Sequence, residues 1–184
     1  DIRKAIHHFE KGILIRPGSR KTLLVLGELY QQEGDMDQAH TAFEKALHLL
    51  AKGKTHRKER KRVLRTLGNL ALQKKDPQGA IQYMDQYFKL APKETAAQID
   101  FARALSRAGM HDEALARLRH TEKAVLRSRR PEIAAQIGGI LEFANRKEKA
   151  IKAYRRAIRQ VPQKSYLRRE LIGRVVALYR EKQE

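Results

Sequence analysis

The 184-residue chain contains no cysteine and no tryptophan, and only 6% of its residues are aromatic. The absence of cysteine excludes disulfide bonds, thiolate-bound metals and cysteine nucleophiles, but it leaves the cellular compartment open. The sequence also lacks the run of about 20 apolar residues that spans a bilayer, and its first residues lack the pattern of a secretory signal peptide. Ala, Leu, Arg, Lys and Gln are abundant, which favours helices over sheets. The sequence therefore predicts an all-α protein.

Negative charge is also scarce. The chain has 40 Lys and Arg against 21 Asp and Glu, which gives a net charge of +19. Residues 1–51 carry no net charge, whereas residues 52–126 carry +9 and residues 127–184 carry +10. Because 41% of the residues are hydrophobic, the chain has enough apolar side chains to bury a core. A one-sided positive surface attracts acidic proteins, anionic polysaccharide, nucleic acid or anionic lipid.

A pattern of small and large residues recurs with a step of about 34 residues. One clear copy has Ala39, Phe43 and Ala46 at A-x3-F-x2-A spacing. Equivalent sets lie upstream and downstream: Ala5, Phe9 and Gly12; Ala80, Met84 and Tyr87; Ala114, Leu118 and Thr121; Ala150, Tyr154 and Ala157. Another amphipathic stretch precedes each full copy and carries a small residue: Gly27, Gly68, Ala102 and Gly138. Each repeat is therefore predicted to be a first and a second helix whose axes approach closely at the small residues.

Turn and helix-end signals follow the same period. Left-handed turn residues are predicted between the two helices of each repeat: Gly34, Lys75, Gly109 and Asn145. Gly and Asn tolerate this conformation, whereas Lys75 is unusual there. Prolines are predicted to end second helices: Pro17, Pro92 and Pro162. Together these signals predict where the helix pairs begin and end.

This pattern resembles the tetratricopeptide repeat (TPR), which reads W-x2-L-G-x2-Y, then A-x3-F, then P. Sel1-like and half-a-TPR repeats form similar hairpins, but the 34-residue step with these small residues fits the tetratricopeptide form better. The resemblance implies a right-handed superhelical solenoid of helix-turn-helix repeats, with the first helices lining a concave groove.

The resemblance covers nearly the whole chain and divides it into segments. Repeats are assigned to residues 20–53, 61–94 and 131–164, and a degenerate repeat to residues 95–130. Residues 1–19 are assigned to the second helix of a truncated repeat, and residues 54–60 to a basic insertion. Residues 165–184 are either a capping helix or the start of a further repeat, with four apolar residues on one face: Leu167, Leu171, Val175 and Leu178.

The function implied by the resemblance is a non-enzymatic protein–protein interaction scaffold whose groove holds an acidic protein or peptide. Candidate partner-binding residues are polar side chains on the first helices of the middle repeats: Arg62, Arg65, Asn69, Arg103 and Arg107. Arg65 and Asn69 are spaced like the opening of the carboxylate clamp in chaperone-binding members of this family. The remainder of that clamp is missing, because other residues occupy its positions: Asp100, Glu132 and Gln136. Arginine forks remain candidates for another carboxylate or a phosphate, and a merely solvated helix face is the alternative.

The basic insertion is a second candidate surface. Residues 52–62 include seven Lys or Arg and one Glu. The cations assigned to this surface are Lys54, Arg57, Lys58, Arg60 and Lys61. The alternative interpretation is that this positive charge only keeps the repeat array soluble.

Two other functions remain open as alternatives. The first is polyanion binding to RNA, DNA or anionic polysaccharide, since non-specific phosphate binding needs only a basic surface. Base recognition is disfavoured, because groove positions vary between repeats and the aromatic residues mostly occupy packing positions. The second is a TPR scaffold in a bacterial envelope or exopolysaccharide assembly and export machine.

Catalytic and metal-binding motifs are absent from the sequence. It has no Gly-rich phosphate loop, H-E-x-x-H helix or nucleophile elbow, and its seven histidines are scattered. We therefore expect no enzymatic activity, no metal and no cofactor. The chain is interpreted as a fragment whose apolar ends can associate end to end, in either the cytoplasm or the periplasm.

Overall fold

The computed structural model describes residues 1–51 and 56–181, and within these ranges it contains no strand. The α-helices are α1 (Ile2–Ile15), α2 (Arg20–Glu33), α3 (Met36–Ala51), α4 (Arg57–Gln73), α5 (Pro77–Leu90), α6 (Thr95–Arg107), α7 (His111–Ala124), α8 (Arg130–Phe143), α9 (Lys147–Gln160) and α10 (Tyr166–Arg180). A single 3-10 turn spans Arg127–Arg129. The prediction of an all-α protein is confirmed.

The helices form two compact units, Asp1–Pro92 and Lys93–Glu184. In the first unit α2 packs on α3, α4 packs on α5, and α1 packs on α2. In the second unit α6 packs on α7, α8 packs on α9, and α10 packs on α9. Because short turns join the two helices of each pair, they run antiparallel. Each unit therefore holds two complete helix pairs and one additional helix.

The turns inside the helix pairs have the left-handed backbone that the sequence predicted. The described residues with positive φ are Gly34 at 90°, Lys75 at 59°, Gly109 at 85° and Asn145 at 57°. These are the four predicted turn positions, so that prediction is confirmed. Lys75 adopts this conformation directly before the N-cap residue of α5. That residue is Asp76, whose carboxylate accepts a hydrogen bond from the Gly79 amide at 2.9 Å.

Glycines in the first helices receive large side chains from the second helices. A Cβ atom added to Gly27 would lie 2.8 Å from Phe43, and one added to Gly68 would lie 2.8 Å from Met84. At Gly138 the added atom would lie 2.4 Å from Tyr154, which is only 1% exposed. Real Cβ atoms do not approach other carbons this closely. We call each of these glycine sites a notch; the predicted close approach at all three is confirmed.

Neighbouring helix pairs are held together by apolar packing and by ion pairs. In the first unit, Leu50 of α3 and Val63 and Leu67 of α4 belong to one core cluster and are at most 1% exposed. In the second unit, ion pairs join α7 to Arg146, which directly precedes α9, and to α9 itself: Asp112 with Arg146, and Glu122 with Arg156 at 2.9 Å. The partners in each ion pair are 34 residues apart, which matches the repeat length.

Replacement of Gly138 by alanine is expected to destabilise the second unit by about 1–3 kcal/mol, because the notch is already full. Tyr154 cannot move away freely, since its hydroxyl donates a hydrogen bond to Glu142 at 2.5 Å. Urea unfolding followed by far-UV circular dichroism measures the effect.

The adjacent Gly139→Ala substitution is the matched control. Its added Cβ would lie 3.7 Å from the Tyr154 hydroxyl, an ordinary contact. Alanine favours a helix over glycine by about 1 kcal/mol, so this variant should be as stable as the wild type or more stable. Equal stability of the two variants would contradict the role of the notch.

Candidate functional site

All five predicted partner-binding residues have exposed side chains on first helices. Arg62, Arg65 and Asn69 lie on α4 in the first unit, at a spacing that places them on one helix face. Arg103 and Arg107 lie one turn apart on α6 in the second unit. Each unit therefore presents its own group of these polar side chains to solvent.

In the first unit, a cleft of about 530 Å³ opens between α2 and α4. Three cations line it, Lys21, Lys58 and Arg62. Glu28 of α2 also lines the cleft, and its carboxylate lies 3.4 Å from Arg62 Nη2. Arg65 makes no hydrogen bond or ion pair within the part of the chain that the structure describes. An exposed ion pair such as Arg62–Glu28 contributes only about 0–1 kcal/mol, so a ligand carboxylate can compete for it.

In the second unit, a cleft of about 260 Å³ lies among α6, α8 and α10. Arg103, Arg107 and Arg174 converge on it, and Ile140 and Phe143 supply its apolar part. Phe143 is 65% exposed, so its ring is accessible from solvent. We call this the arginine cleft. Guanidinium groups bind carboxylates and phosphates, and the ring offers a contact for an apolar side chain.

Two of the three arginines of this cleft have polar partners. Arg103 Nε donates a hydrogen bond to the Gln136 side chain at 2.9 Å, and Arg103 Nη1 lies 3.6 Å from Asp100. Arg174 lies 3.4 Å from Glu142 and 3.5 Å from Glu170. Arg107 makes no hydrogen bond or ion pair among the described residues. The cleft therefore retains unsatisfied guanidinium donors that an anionic group can use.

Arg174 and Phe143 were not among the predicted site residues. Their positions within the repeat could have identified both residues. Arg174 directly follows Gly173, as Arg103 follows Ala102. Phe143 stands five residues after a small first-helix residue, as Arg107 does. Treating residues 165–184 as a possible cap concealed that Arg174 lines the same cleft as Arg103.

Residues 57–60 of the predicted basic insertion are helical, because α4 begins at Arg57. Lys, Arg and Glu form helices readily, and Glu59 lies in the first turn, where a carboxylate interacts well with the helix dipole. Arg57 Nη2 donates to the Leu90 carbonyl at 2.6 Å, so this cation fixes α4 to the end of α5.

The remaining cations of the predicted basic insertion have different surroundings. Lys61 lies 5.8 Å from the centre of the Tyr87 ring, and Arg60 is half-buried. Lys58 is exposed and lines the α2–α4 cleft. Lys54 lies outside the described residues. Among those described, Lys58 thus belongs with the first-helix surface of the first unit.

Family models described as tetratricopeptide repeat match residues 18–93, 71–130 and 131–163. Together these matches cover most of the sequence. The chain belongs to the tetratricopeptide repeat family. The resemblance predicted from the sequence is confirmed, and membership of this family supports a role as a protein–protein interaction scaffold.

Solved structures of TPR proteins have the same fold. MamA is 21% identical with a TM-score of 0.62, over 87% of this chain and 82% of that one. YrrB, a TPR protein with an unusual peptide-binding site, is 20% identical with a TM-score of 0.60, over 98% and 84%. The Naa15/Naa10 structure bound to HypK-THB has a TM-score of 0.69 at 20% identity, over 99% of this chain and 27% of that one. No curated protein sequence matches the chain.

Tyrosines with raised pKa values hold neighbouring TPR helices together. Tyr30, Tyr83 and Tyr154 each donate a hydrogen bond to a glutamate of another helix, at 2.5 or 2.6 Å. Burial, reinforced by the nearby carboxylate, raises the pKa of Tyr30 to about 12. The same causes raise the pKa of Tyr83 and of Tyr154. These tyrosines therefore tie helices together in their protonated form.

The described residues include neither a metal-ligand cluster nor a membrane-spanning helix. No group of three or more His, Cys, Asp or Glu side chains among them is placed to hold a metal ion. No helix within residues 1–51 and 56–181 has the length and apolar character that crossing a membrane requires.

Deprotonation of Tyr30 is expected to weaken the first unit at alkaline pH. Its pKa of about 12 in the folded chain exceeds the ordinary value of 10.0, so its stabilising contribution is complete below pH 10 and is lost towards pH 12. Urea unfolding at several pH values, compared between the wild type and Tyr30→Phe, measures this contribution. A pH dependence that is identical in the two proteins would contradict it.

Proposed function

We propose that this TPR protein is a non-enzymatic scaffold that binds an acidic segment of a partner protein on the exposed faces of its first helices. The observation that carries the proposal is the arginine cleft, where Arg103, Arg107 and Arg174 converge beside the exposed Phe143. The peptide-binding site of YrrB and the HypK-bound Naa15/Naa10 structure support it, because both proteins share this fold.

The arginine cleft favours a particular kind of segment. A carboxylate can accept two parallel hydrogen bonds from one guanidinium group, which gives both strength and orientation. Arg107 is available for this, since no described acidic side chain pairs with it. An apolar or aromatic side chain next to the carboxylate would pack on Phe143 and Ile140. We infer that the bound segment contains Asp or Glu beside a large apolar residue.

The first unit offers a second contact region on α4. Arg65 is exposed and makes no ion pair within residues 1–51 and 56–181, and Asn69 lies one turn further along the same face. Lys58 and Arg62 extend this face towards the α2–α4 cleft. Their charges would attract the same acidic partner and speed its association.

Nucleic acid is the competing class of ligand, because the net charge of +19 suits any polyanion. A regular series of stacking rings is typical of sequence-tolerant binding to single strands. Among the described residues, the exposed aromatic side chains do not recur at one repeat position, since Phe143 lies at the end of α8, Tyr166 at the start of α10 and Tyr179 near the end of α10. An acidic protein is therefore the preferred partner.

Charge reversal at Arg65 and Arg103 is expected to weaken partner binding by about tenfold, because it replaces attraction by repulsion in both units. Partners are first captured on the immobilised chain from a nuclease-treated lysate at moderate salt and identified by mass spectrometry. The affinity of the purified partner is then compared between the wild type and the Arg65→Glu/Arg103→Glu variant.

The control is Lys11→Glu/Lys164→Glu, which changes the net charge equally through one exposed lysine in each unit. It should bind almost as well as the wild type. Equal weakening in both double variants would show that only overall charge matters. If nuclease treatment abolishes capture, the ligand is a nucleic acid and not an acidic protein.

A further inference from the structure

The arginine cleft holds more positive charge than one carboxylate needs. Three guanidinium groups line it, from Arg103, Arg107 and Arg174, and its described lining includes no acidic side chain. A carboxylate has a single negative charge, and one guanidinium fork is enough to bind it. The convergence of three guanidinium groups therefore favours an anion with a higher charge and more acceptor oxygens.

The acidic neighbours of two of these arginines leave donors unused. Arg103 Nη1 lies 3.6 Å from Asp100. Arg174 lies 3.4 Å from Glu142 and 3.5 Å from Glu170. These distances are longer than the roughly 2.8 Å of a strong charge-assisted hydrogen bond. Since a guanidinium group has several N–H donors, both arginines can bind an anion in the cleft without first breaking a tight ion pair.

Arg107 is the most available of the three arginines. It makes no hydrogen bond or ion pair among the described residues, so its whole guanidinium fork is open to a ligand. It lies one turn from Arg103 on α6. Gly139 of α8 also lines the cleft, and it contributes no side chain to the volume of about 260 Å³. The cleft thus has both free donors and room for a compact anionic group.

A phosphate monoester fits these features better than other biological anions. At neutral pH it carries a charge of about −1.5 to −2 and offers three strong acceptor oxygens, which several guanidinium groups can share. A phosphodiester of a nucleic-acid backbone carries only one charge per phosphate. The apolar Ile140 and Phe143 beside the arginines favour an apolar side chain next to the phosphate, which a peptide supplies.

We propose that the arginine cleft binds a phosphoserine or phosphothreonine of the partner segment, with the neighbouring large apolar side chain against Phe143. This inference rests on the proposed function, because it specifies which acidic group occupies the cleft. The same segment without its phosphate would bind more weakly. Phosphorylation of the partner would therefore control its association with this chain.

The test uses three labelled synthetic peptides that differ only in the two residues before a phenylalanine. One carries Ala-phosphoserine, one carries Glu-Glu and one carries Ala-Ser. The first two have nearly equal negative charge at neutral pH, so the net charge of +19 on the chain attracts both to the same extent. Fluorescence anisotropy measures the affinity of each peptide for the full chain.

We expect the phosphoserine peptide to bind about fivefold tighter than the Glu-Glu peptide, and the Ala-Ser peptide to bind most weakly. Arg107→Gln should weaken phosphoserine binding by about tenfold. Arg107→Lys keeps the charge but loses the fork, so it should lose most of the preference for phosphoserine. The matched control is Arg127→Gln, which removes one exposed arginine of the second unit outside the cleft and should bind like the wild type.

The pH dependence gives a second readout. The second pKa of a phosphate monoester is about 6, whereas a glutamate side chain has an ordinary pKa of about 4.3. Lowering the pH from about 7.5 to 5.5 should therefore reduce the preference for phosphoserine over Glu-Glu by about threefold. The titratable groups of the protein near the cleft arginines and Phe143 act on both peptides, so the ratio of affinities is the measured quantity: Asp100, His111, Glu142 and Glu170.

Three results would overturn the proposal. Equal affinity for the phosphoserine and Glu-Glu peptides, with both weakened by Arg107→Gln, would reject the phosphate and leave the proposed function intact. Affinities that Arg107→Gln leaves unchanged would contradict both the phosphate and the proposed function at this cleft. Tighter binding of a labelled oligothymidine that depends on Arg107 would assign the cleft to nucleic acid.

Discussion

The close contact between a glycine of one helix and a large side chain of its partner is the constraint on which the rest of the structure depends. Gly27, Gly68 and Gly138 each receive a side chain that would collide with a Cβ atom. These contacts fix how near the two axes of a pair can lie. They also fix the rotation of each first helix about its axis, and hence which of its residues remain exposed.

The candidate site follows from that rotation. With Gly68 turned towards Met84, the adjacent Arg65 and Asn69 point to solvent. The equivalent rotation of α6 exposes Arg103 and Arg107. None of these side chains contributes to the core, so each can change between repeats without cost to the fold. That freedom explains why a regular array carries an irregular set of polar groups on its first helices.

Local patterns allowed the fold to be predicted from the sequence. Small residues, turn residues and prolines recur at fixed offsets, and the period alone placed a left-handed turn at Lys75, against its intrinsic preference. The start of α4 at Arg57 has no capping signal in the sequence, because His56 provides no side-chain cap and the Arg57 guanidinium donates its hydrogen bond to the carbonyl of Leu90, more than 30 residues away. Helix starts without a capping residue are difficult to recognise in a sequence.

Only the exposed positions of the candidate site were predicted from the sequence, because they depend on the periodicity of a single helix. Exposure of Arg62 and Arg107 follows from helix periodicity, which a sequence reveals. The convergence of Arg174 and Phe143 with Arg103 depends on how three separate helices pack. The ion pair between Arg62 and Glu28 likewise depends on the distance between α2 and α4. Contacts of this kind arise from tertiary structure and leave no local signal.

A high-resolution structure of the chain bound to its captured partner tests the central claim most directly. The account predicts partner carboxylates within about 4 Å of Arg103 or Arg107, with an apolar partner side chain against Phe143. A partner that contacts only the outer faces of the second helices, and leaves these arginines in solvent, would contradict it.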